Sequence, residues 1–309
     1  MIPIFKPVFG ARCMKAIETV LDTGMLACGK MVRELEEEFA KYVGFKYAVG
    51  VNSCTSALLL AYHRYEGTEI KIPSVTFASV VNMAMFSGLD IEFTDIVMVG
   101  SAYHLEPTLI YDCAHEIERN MYGRSSIATA CYSFYPTKNL GSAEGGMICT
   151  NNKDDYEYYL KMRNHGMIRE GYEWDYTIET EGWKCSMNEI QAAIALVKLD
   201  ELDEELEKRR QVVNWYNDRL EYANNSLHVY PVLIKDRDKL MKELKKNEIG
   251  YSVHFKPNHL QPAYKFWVNE DDVFTKSEFW GNYEISLPLY PSLKESEVDE
   301  VCKIVKKYL

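Results

Sequence analysis

Short runs of β-forming residues alternate with helical runs from residue 46 to residue 151, and this alternation is the strongest constraint on the fold. It favours an α/β domain with an open, mostly parallel sheet flanked by helices. In such a sheet, ligands bind at the carboxyl ends of the strands. The predicted strands are KYAVGVNS, EIKIPS, LDIEFTDI, TLIYDCAH, ATACYSFY and GGMICTN.

Polar side chains follow two of these strands. Asp112 comes at the end of TLIYDCAH, Ser133 lies near the end of ATACYSFY, and Lys138 follows in TKNLGSAEGG. Most lysines are solvated surface groups. A lysine held in a cleft loses its proton readily and can attack a carbonyl to form a Schiff base. With an aspartate that faces a pyridine nitrogen, it forms the working pair of a pyridoxal-phosphate enzyme.

Two helix starts matter for the site and for the domain organisation. The helix CTSALLLAYHRY begins at a polar turn after the first strand, so its free N–H groups can seat a phosphate. A long helix begins near Ser186, where Ser186 and Glu189 have capping-box spacing, and it runs towards Leu220. We expect a large domain over residues 1–205 and a small α+β domain over residues 206–309.

Composition and charge exclude several classes of protein. The net charge of −11 and the lack of a basic stripe argue against nucleic-acid binding. No apolar run approaches the ~20 residues of a membrane span, and the first residues do not resemble a signal peptide. The eight scattered cysteines include no zinc-like spacing. We therefore expect a cytoplasmic protein without a metal site, whose thiols are buried and reduced.

The stretch SFYPTKNL…EGG resembles the cofactor-lysine motif of the DegT/DnrJ/StrS family of sugar aminotransferases, which have the aspartate aminotransferase fold (fold type I). Further stretches match in the same order and cover most of the chain from Gly29 to Pro291. They are VNSCTSALLLA, IPSVTFAS, DCAHEI, RNHGM, MNEIQAAIALVKLDELDE, VHFKPNHLQPAY and SLPLYP.

The resemblance implies a role for each matching residue. Lys138 is the lysine that binds pyridoxal 5′-phosphate and shuttles the proton, and Asp112 faces the pyridinium nitrogen. The other implied cofactor contacts are Thr55, Ser56, Phe77, His115, Ser133 and Lys184. Lys184 is expected to reach the partner subunit's cofactor, which makes a homodimer the active unit. The implied substrate contacts are Arg163 and His254.

Several of these residues also have a structural interpretation. His115 could instead bond a backbone carbonyl, and Phe77 could be a core residue. Lys184 could be an ordinary surface lysine, while Arg163 and His254 could be structural.

The segment around residues 96–110 departs from the family pattern. Asp95 and Asp112 are only 17 positions apart, whereas family members carry another strand and helix there. Such a unit needs ~30 residues or more, so we expect one strand–helix unit to be missing. Cys54 also replaces the glycine that is common before the threonine of the phosphate turn.

The resemblance implies transfer of an amino group from L-glutamate to a nucleotide-linked keto-sugar. One alternative is a sugar dehydratase of the same fold, but those relatives carry histidine at the position of Lys138. A second alternative is a scaffold that binds the cofactor without catalysis, which the retained Lys138, Asp112 and His115 disfavour. A third, an unrelated α/β binding protein, requires all of the ordered matches to be accidental.

Overall fold

A computed structural model describes residues 1–121, 129–169 and 174–309. The helices are α1 (Ala11–Thr23), α2 (Lys30–Val43), α3 (Cys54–Tyr62), α4 (Ala78–Phe86), α5 (Lys153–Met162), α6 (Glu189–Asp200), α7 (Leu202–Leu220), α8 (Arg237–Lys246), α9 (Thr275–Tyr283) and α10 (Glu295–Val305). The strands are β1 (Tyr47–Val51), β2 (Glu69–Val75), β3 (Asp90–Val97), β4 (Tyr103–Leu105), β5 (Ile110–Asp112), β6 (Thr129–Ser133), β7 (Gly146–Thr150), β8 (Met167–Arg169), β9 (Tyr176–Ile178), β10 (Tyr230–Leu233) and β11 (Glu284–Leu287).

All six predicted strands are present, as β1, β2, β3, β5, β6 and β7. Five strands form one sheet in the order β1-β7-β6-β5-β4, and β2 pairs with β3 beside it. The backbone of Lys71 in β2 donates to Glu106, just after β4, which ties the pair to the edge of the five-stranded sheet (2.7 Å).

The strand directions differ from the predicted mostly parallel sheet. Among the described strands of the five-stranded sheet, β5–β6 is the parallel pair, while β1–β7, β6–β7 and β4–β5 are antiparallel. The reason is the length of the connections. Only a short turn joins β4 to β5, and β6 reaches β7 through the Lys138 loop without a helix, so neither pair has the crossover that a parallel pair requires.

The shortened segment contains a β-hairpin. The structure describes all of residues 98–109, and they contain β4 and a turn but no helix. Leu105 pairs with Ile110, and Tyr103 pairs with Asp112. Asp112 is therefore held by a short antiparallel neighbour on one side and by β6 on the other.

The predicted long helix is divided, and its capping box is shifted. Glu201 separates α6 from α7, and Asn188 with Gln191 forms the capping box of α6. Ser186 instead donates its hydroxyl to the carbonyl of Arg163 (3.2 Å). The carboxylate of Glu189 accepts N–H bonds from the first residues of α2, at 2.9–3.0 Å. Both residue pairs have the spacing of a capping box, and tertiary contacts determine which pair forms it.

In the described parts of the chain, three buried apolar clusters form the core. One lies around α3, α4, β2 and β3, one around α2, α6 and β6, and one joins α7, α8, α10 and the β10–β11 pair. The predicted boundary at residue 205 remains a prediction, because α7 runs across it and Ile2 packs in the C-terminal cluster.

Two further expectations concern the thiols and the membrane. Seven cysteines are buried as predicted, but Cys28 is exposed, because it lies in the loop before α2. Within the parts of the chain that the structure describes, no helix is long and apolar enough to cross a bilayer.

Candidate cofactor and substrate site

A cavity of about 440 Å³ opens at the carboxyl ends of β5 and β6. Such a volume suits a small organic ligand. Seven of the residues predicted from sequence line it: Thr55, Phe77, Asp112, His115, Ser133, Lys138 and His254. These residues are scattered over 200 positions of the sequence, and the fold brings them together.

Lys138 lies on a turn that leaves β6, where its backbone N–H donates to the carbonyl of Tyr135 (2.9 Å). Its Nζ lies 3.3 Å from Nε2 of His228. Burial lowers the pKa of Lys138 to about 8, although the charge of Asp112 opposes the shift. An appreciable fraction of this amine is therefore neutral, and hence nucleophilic, near neutral pH.

The small residues near Lys138 allow two close backbone approaches. A Cβ on Gly141 would meet the carbonyl oxygen of Pro136 at 2.5 Å, and one on Gly146 would meet the backbone at Ser53 and Cys54 at 2.6 Å. Gly146 thereby lets β7 pack directly behind the start of α3. The glycines thus bring the lysine turn and the α3 turn to the same cavity.

Asp112 is buried at the end of β5. It accepts hydrogen bonds from the N–H of Ala114 (2.9 Å) and the hydroxyl of Tyr103 (3.1 Å). Burial raises the pKa of this carboxyl, while the two hydrogen bonds and the charge of Lys138 oppose the shift. The carboxylate is oriented from behind by Tyr103, which in turn bonds Thr76 (2.6 Å).

His115 has a defined tautomer. The N–H of Gly100 donates to its Nδ1 (3.0 Å), so Nδ1 carries no hydrogen. Burial and the charge of Lys138 hold the pKa of the imidazole well below its usual value, so the ring is neutral. Its Nε2–H is therefore free to donate towards a ligand. The alternative role, a bond to a backbone carbonyl through Nδ1, is excluded.

The start of α3 faces the cavity through Ser53 and Thr55. Ser53 caps the helix by accepting the N–H of Ser56 (3.1 Å). The helix dipole there favours an anion. Ser56 was predicted to contact the cofactor, but it does not line the cavity. Its hydroxyl donates to the side chain of Asn52 (2.6 Å), and its backbone N–H donates to Ser53 in the helix cap.

Phe77 is not a core residue. Its side chain is 56% exposed and lies at the cavity wall, with its ring centroid 5.6 Å from that of Phe255. An exposed aromatic ring at the mouth of a cavity is available to stack on a flat ligand.

The structure gives Arg163 a structural role in place of the predicted substrate contact. Its buried guanidinium pairs with the carboxylate of Glu36 and donates to the carbonyl of Gly50 (2.8 Å). Glu36 in turn accepts the N–H of Gly50 (2.7 Å). The arginine does not line the cavity, because this pair holds α2 and the end of α5 against β1.

Lys184 is exposed and lies outside the cavity of its own chain, where its backbone forms a bridge with Asn164. Lys184 is therefore absent from the cavity that contains Lys138 of the same chain. Its exposed position is compatible with a contact to a partner subunit.

Sequence reasoning missed several residues of the cavity wall, among them His228, Tyr103 and Phe5. His228 is buried, stacks on Phe5 (5.7 Å between centroids) and has its pKa held well below the usual value by burial. It lies 90 positions from Lys138, so no local spacing could have identified it. Tyr103 could have been found only by predicting the β4–β5 hairpin.

Sequence and structural comparisons agree on the relatives of this chain. A sequence model of the DegT/DnrJ/EryC1/StrS aminotransferase family matches residues 8–105 and 97–306. The two matched segments overlap at residues 97–105, in the shortened region. The spore coat polysaccharide biosynthesis protein SpsC of Bacillus subtilis is 28% identical over 376 positions, which cover 99% of this chain and 96% of SpsC. SpsC therefore carries residues that this 309-residue chain lacks.

Solved structures show the same fold. Spr1654 from Streptococcus pneumoniae, in its PMP-form, superposes with a TM-score of 0.87 at 21% identity, covering 99% of this chain and 98% of that one. Helicobacter pylori PseC, an aminotransferase involved in the biosynthesis of pseudoaminic acid, gives a TM-score of 0.84 at 21% identity with the same coverage. The predicted fold type I is confirmed. The chain belongs to the DegT/DnrJ/EryC1/StrS aminotransferase family, whose members are enzymes that depend on pyridoxal 5′-phosphate.

Proposed function

We propose that this sugar aminotransferase transfers the amino group of L-glutamate to a keto-sugar linked to a nucleotide. The observation that carries the proposal is the placement of Lys138 and Asp112 on the walls of one cavity. A neutral amine and a buried carboxylate in one cavity are the two groups that a pyridine aldehyde cofactor requires from a protein.

The residues present fit pyridoxal 5′-phosphate. The start of α3, with Thr55, offers N–H groups and a positive dipole end for the phosphate, and Ser133 supplies a hydroxyl. Asp112 would bond the ring nitrogen, and Nε2–H of His115 would donate to the ring hydroxyl. The exposed ring of Phe77 would stack on the pyridine. Each of these groups faces the cavity with the required donor, acceptor or flat surface.

The bound cofactor supplies an electron sink and carries the amino group between the two half-reactions. Lys138 acts as the base that removes the proton from Cα of glutamate and later delivers a proton to the sugar carbon that receives the amine. A pKa of about 8 suits both steps, because the amine and the ammonium are each populated near neutral pH. Nε2 of His228, 3.3 Å from Nζ, holds the amine in position by a hydrogen bond.

The sugar class and the nucleotide carrier of the proposed substrate are supported by different observations. The sugar class is supported by the family and by PseC and SpsC, whose names refer to sugar and polysaccharide biosynthesis. The nucleotide carrier is supported by the sequence resemblance around His254, and the glutamate donor by the resemblance to the family as a whole. We further propose a cytoplasmic location, in keeping with eight free cysteines.

We propose a homodimer in which Lys184 reaches the partner's cofactor phosphate. The exposed position of Lys184 is compatible with such a contact. Several large apolar side chains near the N-terminus are also exposed, as expected of residues that pack against another chain. They are Val8, Phe9, Met14, Leu21, Met25 and Leu26.

The test is to incubate the holoenzyme with L-glutamate and a panel of keto-sugars, both free and attached to uridine, thymidine and guanosine diphosphates. We expect 2-oxoglutarate and amino-sugar in equal amounts with at least one member of the panel. Lys138→Ala should abolish both products, whereas Lys153→Ala, which alters a surface lysine of α5, should not. Full activity of Lys138→Ala would overturn the assignment of Lys138, and reaction only with free sugars would overturn the nucleotide carrier.

A further inference from the structure

A buried carboxylate lies behind the cavity wall and is not used by the mechanism above. Glu284 and Ser286 belong to β11, where residues two apart point to the same face of the strand. Both side chains are fully buried. That face is turned towards His254, which lines the cavity.

Hydrogen bonds connect these three residues in a chain. The backbone N–H of His254 donates to Oε2 of Glu284 (2.7 Å), and the hydroxyl of Ser286 donates to Oε1 of the same carboxylate (2.6 Å). Oγ of Ser286 also lies 2.8 Å from Nδ1 of His254. The indole N–H of Trp280 donates to the carbonyl of His254 (2.8 Å), which fixes the backbone on the other side.

Counting hydrogens assigns the tautomer of His254. An ionised Glu284 can only accept, so it uses the single hydroxyl hydrogen of Ser286. Oγ of Ser286 must then accept from Nδ1–H of His254. Burial and the charge of Lys138 lower the pKa of His254 to about 4, so the ring is neutral and holds one hydrogen. Nε2, the nitrogen left for a ligand, is therefore an acceptor.

Protonation of Glu284 reverses the two side-chain hydrogen bonds, Ser286 to Glu284 and His254 to Ser286. A proton that arrives from the cavity binds Nε2 of His254, and Nδ1–H passes its proton to Oγ of Ser286. The original hydroxyl proton of Ser286 passes to Oε1 of Glu284. One proton has entered, Glu284 is neutral, and His254 is again neutral but now carries its hydrogen on Nε2.

We propose that Glu284, Ser286 and His254 form a proton relay that determines whether His254 presents a hydrogen-bond acceptor or a donor to the cavity. Glu284 is the positioning residue of this relay. With Glu284 ionised, Nε2 accepts a hydrogen bond; with Glu284 protonated, Nε2–H donates one. The ionised form therefore suits a ligand hydroxyl, and the protonated form suits a carbonyl or phosphoryl oxygen.

The surroundings of Glu284 bring the pH at which the tautomer of His254 changes close to neutral. Burial raises the pKa of this carboxyl to about 7, although the hydrogen bonds from Ser286 and His254 and the charge of Arg237 oppose the shift. Arg237 itself donates to the carbonyls of Gly281 (2.6 Å) and Glu284 (3.3 Å). From the cavity side, His254 faces the charge of Lys138 and the imidazoles of His115 and His228, whose pKa values burial holds well below the usual value.

The tautomer can be measured without a substrate. We would label histidine with ¹⁵N in the full chain with cofactor bound, and follow Nδ1 and Nε2 of His254 by NMR from about pH 6 to about pH 8, either side of the Glu284 pKa. His254→Gln identifies the signals. We expect the ring to stay neutral while its hydrogen moves from Nε2 at low pH to Nδ1 at high pH. A single tautomer throughout, or a positively charged ring, would overturn the relay.

Two variants separate the relay from simple packing. In Glu284→Gln, the amide oxygen accepts the N–H of His254 and the amide NH₂ donates to Ser286, so His254 should keep Nε2–H at every pH. Ser286→Ala removes the link and should abolish the pH response while leaving Glu284 in place. A Glu284→Gln protein that titrates like the wild type would rule out Glu284 as the controlling group.

The consequence for substrate rests on the proposed function. If the substrate meets Nε2 of His254, KM should depend on pH with a midpoint near that of the tautomer change, and Glu284→Gln should remove this dependence. A normal NMR response without any effect on KM would retain the relay and remove His254 from the substrate site.

Discussion

Burial sets the protonation state of the basic side chains around the cavity. It lowers the pKa of Lys138 to about 8 and that of His254 to about 4, and it holds the pKa of His115 and His228 well below the usual value. At neutral pH the three imidazoles are thus uncharged, while Lys138 keeps an appreciable neutral fraction. That leaves Lys138 as a nucleophile and the imidazoles as directional hydrogen-bonding groups.

The rate at which cofactor-free protein captures pyridoxal 5′-phosphate should therefore rise with pH and level off above about pH 8, the pKa of Lys138. The neutral amine is the reactive form, and its fraction saturates once the pH exceeds this pKa. Stopped-flow absorbance measures the rate, and Nα-acetyl-lysine treated alike corrects for ionisation of the cofactor. A rate that still climbs at pH 10 would show an ordinary lysine.

Asp112→Asn should reduce kcat by about 10²–10³-fold, the range typical of losing one preorganised group that stabilises charge. Tyr103→Phe removes one hydrogen bond to the same carboxylate, worth about 1 kcal/mol, so it should cost ~10-fold or less. Steady-state kinetics at one pH compares the two. Equal losses would mean that the orientation of Asp112, and not its charge, matters most.

The sequence predicts part of this site for a physical reason. Asp112, Ser133 and Lys138 are found because strand ends converge at one edge of a sheet. His115 and Phe77 required the resemblance, because single residues of these types carry little signal. Arg163 and Ser56 lie outside the cavity because their partners, Glu36 and Asn52, are selected by packing that a local pattern does not encode.

At the scale of elements, tertiary contacts decide where helices begin and how strands run. The pairs Ser186/Glu189 and Asn188/Gln191 both have the spacing of a capping box. The pair Asn188/Gln191 forms the box because the carboxylate of Glu189 is hydrogen-bonded to the N-terminus of α2. The antiparallel direction of β4 follows from a connection too short for a crossover. The six strands named from sequence were therefore predictable, whereas β4, the cap and the strand directions were not.

Arg163→Met should destabilise the fold rather than impair substrate binding. It leaves the buried carboxylate of Glu36 without its cation, which typically costs about 3–5 kcal/mol. The free energy of unfolding in urea measures this loss, and the double variant Arg163→Met/Glu36→Met should recover part of it. Normal stability combined with a raised KM would restore the role predicted from sequence.

At the scale of the whole molecule, the cavity of one chain contains the proposed catalytic groups but not Lys184. The fold retains the strands that end at the cavity, with the β4–β5 hairpin in the segment near residues 96–110. A second chain can supply the missing lysine if the active unit is a two-fold dimer.

Mixing inactive subunits tests this assembly. Lys138→Ala and Lys184→Ala homodimers should each be strongly impaired. Unfolding and refolding them together in equal amounts should restore about a quarter of wild-type activity, because half of the dimers are mixed and each has one intact site. Absence of recovery from well-folded mixed dimers would mean that Lys184 serves its own chain or no site at all.

The central claim, that Lys138 is the residue joined to the cofactor, is tested most directly by trapping that bond. Borohydride reduction of the holoenzyme, followed by proteolysis and mass spectrometry, should find the pyridoxyl-phosphate group on the peptide that contains Lys138. The visible absorbance should disappear on reduction, and Lys138→Ala should show no label. Label on another lysine, or none despite bound cofactor, would contradict the claim.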